Sequence, residues 1–275
     1  MMFSPTDLAT LRSRYDEHGW CSPAARLAAA SVSAVRDRID ELCASTRPEV
    51  VHEDDGATVR AVHGCHAFDD LCAALVRMPE LVRLAEALVG GKVYVYQFKV
   101  NLKQAEEGAA WPWHQDFSFW HLEDGMPRPD AVNIAISLDD VHDANGPLLV
   151  VPGSHDDGIY DLPRAEAQRG KHWREHVSTT LTYTVSDERA AELMAAKGGL
   201  RMTGPAGTIN AFHPSIVHSS SNNESPDRRA LLLITYNRVD NAPAAPTRPE
   251  FLVSRDTAPI TAGLDDRLTL VAASA

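Results

Sequence analysis

The feature that most constrains the fold is a change of period at Lys92. Before this residue apolar side chains recur at helical spacing, whereas Lys92–Lys103 (KVYVYQFKVNLK) alternates with the two-residue period of a β-strand. Short apolar runs separated by Gly, Pro, Asn and Asp turn signals follow to about residue 240. Many short strands of this kind predict a closed or double-sheet β architecture with helices packed outside it.

The individual elements are marked by local start and stop signals. Ser4 caps a first helix that starts at Pro5 and has Asp7 in its first turn, and Gly90-Gly91 stops the last helix. The other predicted helices are Ser22–Cys43, Asp69–Arg77 and Pro79–Val89. The predicted strands are Lys92–Lys103, Ala131–Leu138, Pro147–Val151, Thr180–Val185, Thr208–Phe212, Ile216–Ser219 and Arg228–Arg238.

This order of elements predicts one domain over residues 1–275. Residues 1–91 form its helical N-terminal part, which packs on a β core of about residues 92–240. The proline-rich segment Asn241–Pro249 is expected to wrap around the surface.

Charge narrows the class of partner. The chain has 26 Lys and Arg against 38 Asp and Glu, a formal net charge of −12, which disfavours nucleic acid and anionic membranes. A small molecule is therefore the expected partner, and a homodimer is compatible with the sequence. The acidic N-terminus does not resemble a signal peptide, no apolar run is long enough to cross a bilayer, and the cysteines form no CxxC pair. We expect a reduced, cytoplasmic protein.

Candidate metal ligands lie in the segment Trp111–Pro127 (WPWHQDFSFWHLEDGMP) and about a hundred residues later. His114 and Asp116 would share one face of an extended strand, and His213 or His218 could supply a third ligand. Two histidines and one carboxylate on one face of an octahedral metal are typical of non-haem iron oxygenases. Three positions then stay free for a co-substrate that chelates through two atoms and for dioxygen.

Arg229 is the second chemical signal. It begins the apolar stretch RRALLLITY, and a buried arginine is costly unless an anion pairs with it. Its planar fork suits a carboxylate such as the far end of 2-oxoglutarate.

The strand after Lys92 has one unusually polar face. This face carries Val93, Val95, Gln97, Lys99, Asn101 and Lys103, while the opposite face carries Tyr94, Tyr96, Phe98, Val100 and Leu102. Two interpretations fit the alternation: the polar face lines a pocket, or it meets solvent on an edge strand.

Three motifs resemble the phytanoyl-CoA dioxygenase superfamily: WHQDFSFWHLEDGMP, NGPLLVVPGSH and IVHSSSNN followed by Arg229. Within it the chain is most similar to ectoine hydroxylases and bacterial free-proline 4-hydroxylases. The likeness runs from about Thr58 to the C-terminus, and TVRAVHGCH, VYVYQFKVNLK, WPWHQD, TYNRVDNAP and RPEFLVSRD resemble the proline enzymes. The resemblance implies a double-stranded β-helix (jelly roll, cupin-like) that uses iron(II), 2-oxoglutarate and dioxygen, with ascorbate supporting activity.

Carried over by position, the resemblance assigns roles to individual residues. It implies His114, Asp116 and His218 as catalytic metal ligands, and its IVHSSS context with the eleven-residue offset to Arg229 favours His218 over His213. The expected co-substrate residues are Arg229, Asn101, Lys103 and Asn133, and the expected substrate residues are Gln97, Trp120 and Arg60. His121, His142 and His155 are expected in turns or at the surface; His63 and His66, like Arg60, either reach the substrate or lie in a charged loop.

The leading functional hypothesis is hydroxylation of a small free amino acid, most simply L-proline at C4, with release of succinate and CO2. Ectoine, pipecolate or another natural-product amino acid is the alternative substrate within the same class. From other classes, a catalytically silent β-helix binding protein and a zinc hydrolase also fit the ligand types, but Arg229 has no obvious role in a hydrolase.

Overall fold

The computed structural model describes residues 2–160, 173, 177, 181–244 and 246–273. Its helices are α1 Pro5–His18, α2 Ala29–Cys43, α3 Asp70–Leu75, α4 Pro79–Val89, α5 Asp116–Leu122 and α6 Asp187–Lys197. Its strands are β1 Trp20–Cys21, β2 Ala25–Leu27, β3 Val50–His52, β4 Val59–His63, β5 Val93–Lys103, β6 Trp111–His114, β7 Ala131–Ser137, β8 Leu148–Val150, β9 Leu200–Met202, β10 Ile209–Phe212, β11 His218–Ser220, β12 Arg229–Arg238 and β13 Leu270–Ala272.

Two antiparallel sheets form the body of the molecule. The larger has seven strands in the order β1-β10-β7-β12-β5-β4-β3, and the smaller has four in the order β6-β11-β8-β9. Strands β2 and β13 form a separate pair. Side chains from both main sheets line one cavity, so the sheets face each other as in the predicted double-stranded β-helix.

The N-terminal helices cover the outer face of the large sheet. Leu81, Leu84 and Leu88 of α4 share a buried apolar cluster with Phe98 of β5 and Ile234 of β12. Proline opens this helix, and it ends where Gly90 adopts φ +72° and donates its N–H to the Glu86 carbonyl. The predicted helix Pro79–Val89 is therefore confirmed at both ends.

A β-bulge in β5 changes the face pattern predicted from the sequence. Thr235 of β12 pairs with Gln97 but its neighbour Tyr236 pairs with Val95, so Tyr96 is the extra residue. Because of this insertion, Tyr94 and Tyr96 lie on the inner face together with Gln97, Lys99 and Asn101. Val93 and Val95 lie instead in the helix-facing core with Phe98 and Val100. The strict alternation predicted from Val93 to Lys103 is thus wrong on the Lys92 side of the bulge.

Residues 1–91 were predicted to be helical, but this part of the chain also contains strands. Strand β1 extends the large sheet beyond β10, and strands β3 and β4 extend it beyond β5. The predicted helix Ser22–Cys43 begins only at Ala29, because Ala25–Leu27 forms a strand paired with β13. Tertiary pairing at sheet edges overrides the local helical preference of this part of the chain.

Further segments also differ from the prediction. Residues 181–185 form no strand, and Thr180 lies outside the described residues. Strands β6, β9 and β13 and helices α5 and α6 were not predicted, since the strands and α5 are too short for a periodic signal and α6 lies in a polar stretch.

Within the described part of the chain, no helix is long and apolar enough to pass through a bilayer.

Candidate active site

His114, Asp116 and His218 meet in a buried cluster between the two sheets. One ligand atom from each lies within 4.8 Å of the others, and His114 Nε2 is 3.8 Å from Asp116 Oδ1. The histidines end β6 and begin β11, where they are register partners with ring centroids 4.1 Å apart. Residues separated by a hundred positions in sequence thus converge through one strand pairing.

The backbone fixes which nitrogen of each histidine faces the cluster. Nδ1 of His114 lies 2.7 Å from the Pro112 carbonyl, and Nδ1 of His218 lies 2.9 Å from the Ile216 carbonyl. A carbonyl only accepts, so each Nδ1 carries the hydrogen and each Nε2 keeps a free lone pair. Burial lowers the pKa of both imidazoles, that of His114 to about 3, which keeps these lone pairs available.

Asp116 reaches the cluster from a helix start and not from the predicted extended strand. It is the first residue of α5, and the turn before it is held by Gln115, whose amide nitrogen donates to the Ser215 carbonyl at 2.7 Å. The residue between the two ligands, Gln115, is nevertheless extended, with φ −123° and ψ 125°. His114 and Asp116 therefore lie on the same side of the chain, as the i and i+2 argument predicted.

The two carboxylate oxygens of Asp116 have different surroundings. Oδ2 accepts from Asn133 Nδ2 at 2.8 Å, whereas Oδ1 faces His114 and is 3.4 Å from the ammonium of Lys99. Burial alone would raise the pKa of this carboxyl, but Lys99, the two histidines and Asn133 lower it to about 2. An ionised carboxylate with two imidazole lone pairs is a donor set that fits iron(II).

The cavity around this cluster is lined by both polar and apolar side chains. Its lining includes the cations Lys99, Arg229 and Arg248 and the polar side chains Gln97, Asn101 and His63. The apolar side chains include Phe119, Trp120, Leu148, Val177, Leu181, Leu231, Leu233 and Leu252. A small ligand with both charged and apolar parts suits such a space.

Arg229 has unused hydrogen-bonding capacity at the cavity wall. One terminal nitrogen donates to the Gly146 carbonyl at 2.6 Å, while its buried Nε has no partner among the described residues. Desolvation lowers the pKa of the guanidinium to about 10, which still leaves it charged near neutral pH. Asn101, on the same sheet, has a buried Oδ1 that also lacks a partner there. Orphaned groups of this kind mark a place where a ligand completes the structure.

Comparisons with known proteins agree with this geometry. The family model described as phytanoyl-CoA dioxygenase (PhyH) matches residues 15–231.

The chain belongs to the phytanoyl-CoA dioxygenase family.

The chain is 59% identical to the L-proline trans-4-hydroxylase of Streptomyces griseoviridis over 262 residues, which cover 95% of this chain and 98% of that protein. Among solved structures it is similar to EctD from S. alaskensis with 2-oxoglutarate and 5-hydroxyectoine, at 28% identity and a TM-score of 0.77. That alignment covers 95% of this chain and 87% of EctD. The same enzyme with bound Fe matches at 27% identity and a TM-score of 0.76, with the same coverage.

The structure places some of the residues expected from this family at the cavity and others behind it. Gln97, Asn101, Trp120 and Arg229 line the cavity as predicted. Asn133 does not line it; it supports Asp116 from behind, and its own Oδ1 accepts from the Thr235 hydroxyl at 2.6 Å. Its role is to hold a candidate metal ligand, which corrects the expectation that it contacts the co-substrate.

Arg60 is not available as the substrate's cation. Its guanidinium is buried, bonds both carboxylate oxygens of Glu53 at 3.0 and 3.1 Å, and also donates to the carbonyls of Val177 and Ala110. It lies 3.9 Å from the centre of the Trp111 ring, behind the cavity wall. Each of the three guanidinium nitrogens of Arg60 thus already donates to a protein oxygen.

Lys103 does not line the cavity either. Its Nζ donates to the carbonyls of Ala109, at 2.7 Å, and of Ser221. Burial lowers its pKa to about 6, with Arg229 adding to the shift. The predicted co-substrate role for Lys103 is therefore contradicted by its contacts, which tie β5 to the loop after β11.

His213 is excluded as the third member of the cluster. Its ring packs against that of His155 at a tilt of 57°, with centroids 5.0 Å apart, and its Nδ1 accepts from the Ser215 backbone at 3.1 Å. His155 lies in the turn Ser154–Asp157, in agreement with the expectation of a turn or surface residue, but it is buried there and bonds the Asp16 carbonyl. Both histidines belong to the packing of α1 against the turn after β8.

Two cavity residues escaped the sequence prediction, and a third was left undecided. Lys99 belonged to the polar face but received no role, and Arg248 lies beyond the end of the family match in the segment expected to wrap the surface. Arg248 is buried against Asp124, whose carboxylate also accepts from Tyr96. His63, whose role was open, lines the cavity from β4.

Proposed function

We propose that this chain is an iron(II)- and 2-oxoglutarate-dependent dioxygenase that hydroxylates free L-proline to trans-4-hydroxyproline, with release of succinate and CO2. The carrying observation is the buried His114–Asp116–His218 cluster, which shares one cavity with Arg229. The choice of proline is supported by the 59% identity to an L-proline trans-4-hydroxylase over nearly the whole chain. Fe and 2-oxoglutarate in the EctD structures support the choice of metal and co-substrate.

His114, Asp116 and His218 would hold the iron through two imidazole Nε2 atoms and Asp116 Oδ1. When bound together, iron and 2-oxoglutarate supply the oxidising power that inserts an oxygen atom of dioxygen into a C–H bond. The chain's own contribution begins with orientation. The Pro112 and Ile216 carbonyls hold the two rings, and Asn133 holds the carboxylate, so the ligand atoms are set before the metal binds.

Arg229 would bind the distal carboxylate of 2-oxoglutarate. Its Nε lacks a partner within the described ranges of the chain, and its guanidinium is anchored by the Gly146 carbonyl, so it presents donors in a fixed direction. Asn101 lies on the adjacent strand, as the register partner of Leu231, and offers its amide to the same ligand.

The substrate end of the cavity is shaped by aromatic and aliphatic groups. Trp120 is 1% exposed and packs edge-on against Tyr96 at 5.1 Å, so its position is fixed. Together with Phe119 and Leu252 it would surround an apolar ring and exclude water, while Gln97 offers a hydrogen bond to a polar group of the substrate. A compact cyclic amino acid fits these requirements.

The direct test is turnover by the purified protein with iron(II), 2-oxoglutarate, ascorbate and air. We expect proline-dependent succinate and a product heavier by one oxygen atom, which chromatography identifies as trans-4-hydroxyproline. D116A is the matched control and should abolish both. Succinate formation that no amino acid stimulates would refute the substrate and leave the dioxygenase class standing.

Ectoine is the substrate to run beside proline, because the EctD structure with 5-hydroxyectoine resembles this chain over 95% of its length. We expect ectoine and pipecolate to be poorer substrates than proline. A higher kcat/KM for ectoine than for proline would reverse the assignment within the class.

A further inference from the structure

We propose that Lys99 binds the carboxylate of the substrate, and that it is released for this task when Asp116 is engaged by the metal. The inference rests on the proposed function, because it assumes that a free amino acid occupies this cavity.

The starting point is the position of the Lys99 ammonium. Its Nζ lies 3.4 Å from Asp116 Oδ1, the same oxygen that faces His114 Nε2 at 3.8 Å. The other oxygen, Oδ2, is already bonded to Asn133. The ammonium and a metal ion would therefore compete for one oxygen, and the repulsion between the two cations disfavours binding of both to it.

The charges in the cavity wall show why a displaced Lys99 needs a new anion. Arg248 is neutralised by Asp124, with which it forms a buried two-point pair. Arg229 would be matched by the distal carboxylate of 2-oxoglutarate. Among the cations that line the cavity in the described part of the chain, Lys99 would then be the one without an anion, at 17% side-chain exposure. A largely buried ammonium without an anion is costly, so a substrate carboxylate would be drawn to it.

The neighbours of Lys99 complete a carboxylate site. His63 is its register partner on β4, and the buried Nε2 of His63 has no partner among the described residues. Burial, with Lys99 and Arg248 adding to the effect, lowers the pKa of His63 to about 3, so a neutral ring with one N–H is available as a donor. Gln97 lies two residues before Lys99 on the same face of β5. A carboxylate bound here would meet one cation and two neutral hydrogen-bonding groups.

This arrangement couples the two binding events. Metal binding at Asp116 frees the ammonium, and the bound substrate then holds it away from the metal. Linkage requires the effect to be reciprocal: the metal tightens the substrate, and the substrate tightens the metal.

The first test compares proline with prolinamide, which keeps the ring and amine but replaces the carboxylate by a neutral amide. The wild type should prefer proline by on the order of 30-fold in kcat/KM, and K99M should lose most of this preference through a raised KM for proline. K99R should retain much of it because the charge is kept. K92M, an exposed lysine just before β5, is the matched control and should behave like the wild type.

The second test measures metal affinity without catalysis, by calorimetric titration of Mn(II) into wild type, K99M and K92M. Removing the competing ammonium should tighten Mn(II) binding by K99M on the order of tenfold, with K92M unchanged. Adding proline and 2-oxoglutarate should tighten Mn(II) binding by the wild type more than by K99M.

The outcomes separate the two proposals. If the wild type hydroxylates proline but K99M keeps its KM for proline and its Mn(II) affinity, the role of Lys99 is refuted and the function stands. A raised KM for 2-oxoglutarate with an unchanged KM for proline would also overturn it, by assigning Lys99 to the co-substrate. If the wild type neither binds nor hydroxylates proline, both proposals fail.

Discussion

At the scale of single residues, the site depends on groups that fix other groups. The tautomer of each histidine in the cluster is fixed, since each Nδ1 faces a backbone carbonyl that can only accept a hydrogen bond. Asp116 is held in the same way by Asn133, which is itself held by the Thr235 hydroxyl. The chain therefore bears the cost of ordering the ligand atoms during folding, before a metal arrives.

Asn133→Ala tests this support. The substitution frees Asp116 Oδ2 and removes the acceptor of the Thr235 hydroxyl, so metal affinity should fall by about 10- to 100-fold. Calorimetric titration with Mn(II) measures the affinity. T235V keeps the hydrogen bond from Asn133 to Asp116 and removes only the one from Thr235 to Asn133. It should therefore cause a smaller loss of metal affinity. Equal affinities of N133A and wild type would contradict the positioning role.

Arg229→Lys tests the recognition of 2-oxoglutarate. Lysine keeps the charge but loses the planar fork, and it leaves the Gly146 carbonyl without its present donor. The KM for 2-oxoglutarate should rise on the order of 30-fold or more, while the KM for proline changes little. Steady-state kinetics with each substrate varied in turn distinguishes the two. A change confined to the KM for proline would contradict this prediction, because it would assign Arg229 to the substrate.

At the scale of elements, strong periodicity was predictable and its interruptions were not. Strands β5, β7, β10 and β12 and helix α4 follow from alternation, apolar spacing and stop signals in the sequence. The bulge at Tyr96 has no such signal, because both tyrosine and its neighbours suit a regular strand.

The candidate site was predictable where a motif carried it and not where the tertiary structure did. His114, Asp116, His218 and Arg229 follow from residue type, spacing and resemblance, and the structure brings them to one cavity. The place of Arg248 could not be predicted, since only the buried Asp124 explains an arginine turned inward from a proline-rich segment. Arg60 and Lys103 are cations that could bind a carboxylate ligand, but Arg60 is paired with Glu53, and Lys103 donates to two backbone carbonyls.

The end of helix α4 gives a test at the same scale. Gly90 has φ +72°, where a side chain is strained, whereas the adjacent Gly91 has no positive φ. Gly90→Ala should lower the free energy of unfolding by about 1 kcal/mol, and G91A should lower it less. Urea denaturation measures both. Because α4 covers the outer face of the sheet, kcat should be unchanged, and a loss of turnover would contradict this separation.

At the scale of the whole molecule, two layers of sheet and a layer of helices bury several histidines away from water. Burial lowers the pKa of His63, His114 and His213 to about 3 and that of His66 to about 4. These rings are neutral in the folded protein, whereas in the unfolded chain they take up protons near their ordinary pKa of 6.5. The fold therefore carries a built-in sensitivity to acid.

The sign of the effect follows from proton binding. Below about pH 6.5 the unfolded chain holds more protons than the folded one, so the free energy of unfolding falls as pH decreases, until the folded rings titrate near pH 3 to 4. Each histidine contributes a slope of up to about 1.4 kcal/mol per pH unit. Urea denaturation of the protein in EDTA at pH 7, 6 and 5 should show this loss.

His66→Gln supplies the control for this pH dependence. It removes one titrating ring, which stacks on Phe98 outside the catalytic cavity, and should flatten the slope by up to about 1.4 kcal/mol per pH unit, with the full effect reached toward pH 5. A stability that is constant between pH 7 and 5 in the wild type would contradict the burial of neutral histidines.

Strand β5 sets the spacing between the groups that would bind the substrate and the co-substrate. Gln97, Lys99 and Asn101 follow one another on its inner face at about 6.6 Å intervals, set by the rise of an extended chain. Our proposals assign the first two of these positions to the polar groups of the substrate and the third to the co-substrate. A change of substrate specificity would therefore be sought by substitution at position 97, with the co-substrate contact at position 101 kept. A one-residue insertion between them that is not absorbed by a further bulge would instead turn the side chains on one side of it to the other face of the sheet.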